Sequence, residues 1–168
     1  MKKTAFLFIT ALALTNFAFG EKKEPAKPVP SASVDQVSWT PVVNDEPFDK
    51  GTLAGKVVVV EQWGVNCGPC IASLPEMAKL AKRYEKKGLV VVGQECQGGT
   101  KDQILKLLKD ARVKYPVMSG GSVPVNSDGI PHALVFGADG KLVWHGHPAD
   151  KEFEDSVKDA LKAVVEKK

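Results

Sequence analysis

The stretch VVVVEQWGVNCGPC, residues 57–70, decides how the chain is read. Four consecutive valines followed by Glu61 and Gln62 have the β-branched, apolar character of a strand covered on both faces. The strand runs directly into Cys67 and Cys70, which are separated by Gly68 and Pro69. Proline suits the first turn of a helix, where a missing N–H leaves no bond unmade. Cys67 then falls at or just before the helix N-terminus, where unpaired N–H groups and the positive end of the helix dipole favour a thiolate. Cys70, one turn later, is within disulfide reach of Cys67 and more buried. The pattern predicts an attacking thiol and a resolving thiol.

A structural disulfide or half of a metal site uses the same two residues. A four-ligand zinc site needs two more Cys or His at suitable spacing, and the sequence has no second CxxC. Haem attachment needs a histidine after Cys70, and residue 71 is Ile71. Redox chemistry with no cofactor and no metal is the expectation.

Lys2 and Lys3, the apolar run from Ala5 to Phe19 and the small-residue end at Gly20 have the three parts of a secretory signal peptide. The run is shorter than the roughly 20 residues that span a bilayer, which leaves an uncleaved membrane anchor as the lesser reading. Removing residues 1–20 takes Lys2 and Lys3 from the 23 basic residues and none of the 20 acidic ones, so the charge is close to neutral and nucleic acid is not an expected partner. Export predicts a periplasmic or otherwise extracytoplasmic location, where so close a pair of thiols is oxidised unless something reduces it.

Residues 21–33 mix charge with proline and offer little to bury, as a flexible linker does. One domain is expected over 34–168. Its lead-in, Val34 to Lys56, reads as a short hairpin or an irregular segment. Leu89 to Gly93 is a second buried strand, and the amphipathic stretch Pro69 to Lys87 between the two makes a βαβ unit with parallel strands. Thr100 and Gln103 form a capping box ahead of Ile104, Leu105, Leu107, Leu108 and Ala111 at helical spacing. Val117 to Asp128, punctuated by glycine and proline, reads as loop. Ala133 to Phe136 and Lys141 to His145 flank the turn Gly137 to Gly140 as an antiparallel hairpin, and a last helix covers about 150–166.

These residues resemble the thioredoxin superfamily. The likeness rests on Cys67-Gly68-Pro69-Cys70, on Trp63 four residues before the first cysteine, on Pro75 five after the second, on Gly129-Ile130-Pro131 leading into a strand, and on Gly140 and Gly146. The export signal, the lead-in and the extra helix near Thr100 resemble the TlpA/ResA branch. The resemblance implies an α/β thioredoxin fold, a central mixed β-sheet flanked by helices with a TlpA-like insertion. It also implies thiol-disulfide oxidoreductase activity, many members being reductases that serve cytochrome c maturation. The chain departs from that branch at Ser73, where a glutamate is frequent. It departs again at Asn66, in place of an aromatic, and at His132, in place of a threonine. Glu61 takes the position of thioredoxin's buried acid.

The expected catalytic residues are Cys67, Cys70 and Glu61, the last at the end of a buried strand, where desolvation raises a carboxyl pKa and fits it to exchange a proton with Cys70. The resemblance makes the Ile130–Pro131 bond cis and places that loop opposite Cys67, where its backbone pairs with an extended substrate. Ile130, Pro131, His132 and Trp63 are the expected substrate-side residues. Trp63 acts there as packing beneath the loop, and His132 either lies near the disulfide or points away along its strand. His145 and His147 are spaced as a metal pair or as solvated histidines. Cys96 is an inert cysteine or a third redox thiol. The expected partners are protein disulfides or dithiols and a membrane electron donor, and the expected state is a monomer. A disulfide oxidase or isomerase, a thiol peroxidase and a non-catalytic binding module remain open as alternatives.

Overall fold

The computed structural model describes residues 28–165. The export signal and most of the linker lie outside the described residues. Five strands and three helices follow in the order β1 (Val57–Trp63), α1 (Gly68–Tyr84), β2 (Leu89–Glu95), α2 (Lys101–Asp110), β3 (Val117–Ser119), β4 (His132–Phe136), β5 (Leu142–Gly146) and α3 (Lys151–Val165). They form one sheet of order β3-β2-β1-β4-β5. The β1/β2 and β2/β3 pairs are parallel, while β1/β4 and β4/β5 are antiparallel, so the sheet is mixed.

Val57 to Val60 are almost wholly buried because β1 is the central strand and both of its faces are covered. Burying each valine contributes about 1.5–3 kcal/mol. Val57, Val59 and Trp63 face a layer that holds the buried residues of all three helices, among them Leu74, Ile104 and Val157. Val58 and Val60 face a second layer with Leu134, Phe136 and Leu142. That layer is covered by the lead-in, through Val37, Leu53, Trp39 and Phe48. Val29 and Ala32 already pack against it, ahead of Val34.

The lead-in is not a hairpin. It makes two short 3-10 turns, Val34–Gln36 and Lys50–Leu53, and forms isolated bridges from Ser33 to Lys141, from Ser38 to Ser122 and from Val42 to Met118 of β3. Val117–Ser119, read from sequence as loop, is the parallel edge strand β3, paired with Gly93 to Glu95. Three residues are too few to show a periodicity, and the glycines after them mask the strand. The expected helix to Lys87 ends as α-helix at Tyr84, and Glu85–Lys87 continues as a 3-10 turn that stops at Gly88, whose φ of 97° is left-handed. Among the described residues no helix is long and apolar enough to cross a membrane.

Candidate active site

The end of β1 and the start of α1 build the site. Cys67 is the N-cap of α1 in extended conformation, and its sulfur accepts the N–H of Cys70 at 3.2 Å. Pro69 occupies the first turn, so the orphan donors at this end are turned toward Cys67. Cys67 and Cys70 are joined as a disulfide. Cys67 is 9% exposed and Cys70 0%, so only the first sulfur has an edge toward solvent.

The Ile130–Pro131 peptide is cis. The carbonyl oxygen of Ile130 stands 3.7 Å from Cys67 Sγ. The loop that the resemblance set opposite the first cysteine is therefore there.

Side chains alternate along β1, so Glu61 faces the helix layer with Val59 and Trp63. It is fully buried. Burial pushes its pKa up to about 7, against the opposing pull of hydrogen bonds from Tyr115 and Ser73. The Tyr115 hydroxyl donates to Glu61 Oε2 at 3.2 Å. The Ser73 hydroxyl lies 3.2 Å from Glu61 Oε1 and 2.8 Å from the carbonyl oxygen of Cys70. One serine thus links the carboxyl group to the backbone of the second cysteine. Tyr115 itself is buried, and desolvation followed by the neighbouring Glu61 charge raises its own pKa, so the phenol stays protonated as a donor.

The substrate-side residues separate. Trp63 is fully buried, with its indole nitrogen against Gly93. His132 is 3% exposed and shares its strand face with Leu134 and Phe136, in the layer away from the cysteines. Its Nε2 lies 3.3 Å from Nδ1 of His145 on β5. Burial and then the His145 ring hold the His132 pKa down at about 4. Of its two expected orientations it takes the one away from the disulfide, because the side chain alternates with Ala133. His145 and His147 do not act as a pair: His147 Nδ1 accepts the N–H of Ala149 instead.

Cys96 is a free, exposed residue just past β2. Its thiol donates to the carbonyl of Gln94 at 3.2 Å, and local burial together with the Glu95 carboxylate pushes its pKa up. Sequence reasoning missed Tyr115 and Glu95. The only signal for Glu95 was an acid closing an apolar strand, and Tyr115 gave none.

Beside the first turns of α1 lies a groove of about 630 Å³ lined by Pro69, Ala72, Ser73, Met77, Pro148 and Phe153. Glu76, Lys79, Arg83, Asp150, Lys151 and Glu154 line it as well, and Pro69 sets one end of it beside the cysteine pair.

A cysteine pair at a helix N-cap, a buried acid on the adjoining strand and a cis-proline loop on one mixed sheet define a thioredoxin-fold thiol-disulfide oxidoreductase. The chain belongs to the Redoxin family, whose profile matches residues 24–163. It is 24% identical over 177 residues to thiol-disulfide oxidoreductase ResA of Bacillus cereus (strain ATCC 10987 / NRS 248), covering 94% of this chain and 98% of that protein. Glutathione peroxidase 1 of Mus musculus is 34% identical over 87 residues, 48% of this chain and 43% of that enzyme, so the chain matches less than half of it. The crystal structure of a thioredoxin-family thiol:disulfide interchange protein from Chlorobium tepidum TLS superposes with a TM-score of 0.64 at 26% identity, covering 82% of this chain and 99% of that one. The resemblance read from the motif is borne out at the level of superfamily, fold and enzyme class.

Proposed function

We propose that the chain is an exported reductase of protein disulfides. The observation that carries this reading is the cysteine pair at the N-cap of α1, with the accessible sulfur on Cys67 and the buried one on Cys70. In the dithiol state the Cys67 thiolate attacks a substrate disulfide and releases one substrate sulfur as a thiolate. Cys70 then gives its proton to Glu61 and attacks Cys67, forming the Cys67–Cys70 disulfide and releasing the second substrate sulfur. A carboxyl group with a pKa of about 7 is divided between its two forms at neutral pH, which suits it to this exchange. The Ile130 and Pro131 backbone holds an extended segment of the client, and the groove beside Pro69 receives its apolar side chains.

The Lys2-Lys3 and Ala5–Phe19 signal supports an extracytoplasmic site of action. Reduction there needs electrons from across the membrane, so a membrane electron donor is the proposed partner of a monomeric protein. Equilibration of the pair in defined thiol buffers tests the direction. A potential near about −270 mV supports the reductase, and one near about −120 mV makes the protein a disulfide donor or isomerase.

A second reading is peroxide reduction at Cys67, favoured by the match to glutathione peroxidase 1. Peroxide consumption by the reduced chain that outpaces its reduction of a protein disulfide would move the assignment there.

A further inference from the structure

Gly64, Val65 and Asn66 carry the chain from β1 to the first cysteine, and the exit of the neighbouring strand holds them in place. Glu95, the last residue of β2, is 1% exposed. Its Oε1 accepts the backbone N–H of Val65 at 3.2 Å and of Gln97 at 3.0 Å, and its Oε2 accepts that of Gly99 at 3.0 Å. The N–H of Asn66 donates to Gln97 Oε1 at 2.8 Å, and the N–H of Cys96 donates to the carbonyl of Trp63 at 2.8 Å. Cys67 closes the turn by donating its own N–H to Gly64 at 3.1 Å. The two loops interlock without spare room. A Cβ at Gly64 would strike the Gln97 side chain, and one at Gly99 would come within 2.5 Å of Val65.

We propose that Glu95 is a positioning residue for thiol-disulfide exchange: its buried carboxylate fixes the 64–66 turn so that Cys67 caps α1. Burying a carboxylate is costly unless several donors replace its water, and here three backbone donors do so. Two of the three belong to the Cys96–Gly99 loop and one to the cysteine turn, so a single side chain sets the distance between the two segments. An amide at this position keeps the shape but replaces one acceptor oxygen by a donor, which opposes an N–H.

The proposal rests on Cys67 as the attacking sulfur, and the test separates the two. In the reduced full chain, site-resolved alkylation with iodoacetamide at pH 7 must find Cys67 faster than Cys70; otherwise the underlying reading fails. In Glu95→Gln, Cys67 alkylation is expected to slow about tenfold. The equilibrium with glutathione is expected to move about tenfold toward the Cys67–Cys70 disulfide. A merely structural loosening would speed Cys67 alkylation and leave the equilibrium in place, and that result would overturn the proposal. Gly99→Ala keeps the carboxylate but pushes against Val65, and is expected to slow Cys67 as well. If Glu95→Gln does not fold, an unchanged Cys67 rate and equilibrium in Gly99→Ala overturns the positioning role.

Discussion

Glu61 is the residue at which burial turns into chemistry. Among the described residues its carboxyl group has no ion partner, only the hydroxyls of Tyr115 and Ser73, so desolvation outweighs them and the pKa rises to about 7. Glu61→Gln is expected to slow resolution of the mixed disulfide about 100-fold near neutral pH, followed by stopped flow on a trapped intermediate. An unchanged rate would remove Glu61 from the proton path. Tyr115→Phe deletes a hydrogen bond that holds the Glu61 pKa down, so the midpoint of the pH–rate profile is expected to move upward from about 7, with Cys67 still competent. A downward shift would show that the phenol does not act on Glu61. The acid at position 61 was legible in the sequence, because a carboxylate ending a run of valines stands out. Its partner was not: Tyr115 reaches it from the segment before β3, 54 residues away, and only the folded sheet brings the two together.

At the scale of elements, the parallel pairing of β1 with β2 sets Gly93 beside Glu61 on one face and Glu95 beside Trp63. Gly93 leaves space that a side chain would fill: a Cβ there would lie 3.1 Å from Val117, 3.3 Å from the Trp63 indole nitrogen and 3.4 Å from the Tyr115 ring. Gly93→Ala is therefore expected to cost about 1–3 kcal/mol of stability by crowding the region under the active site, measured by urea unfolding. A neutral or stabilising result would mean that Val117 and Tyr115 yield freely. The strands and helices that carry the site were readable because β1 and β2 are apolar runs and α1 has Leu74, Met77, Leu80 and Tyr84 on one face. The lead-in was not, since its contacts are isolated bridges to distant elements and leave no local period.

For the whole molecule, two buried titrating groups on opposite faces of the sheet bear on stability with opposite signs. Glu61 has a pKa of about 7 folded against 4.5 unfolded, so the folded state holds its proton more tightly and stability falls as pH rises through that window. His132 has a pKa of about 4 folded against 6.5 unfolded, so the folded state resists protonation and stability falls as pH drops through its window. Between about pH 4.5 and 6.5 the two oppose one another. Glu61→Gln is expected to leave stability rising with pH, and His132→Asn to leave it falling, by urea midpoints at three pH values. Parallel curves for the wild type and both variants would contradict these assignments.

The central claim is that Cys67 attacks and Cys70 resolves, and trapping tests it most directly. Cys70→Ser, reduced and mixed with an oxidised protein substrate, is predicted to accumulate a mixed disulfide located at Cys67 by mass spectrometry of its peptides. Cys67→Ser is predicted to accumulate none. An adduct carried by Cys96, or one that forms equally well when Cys67 is removed, would contradict the account.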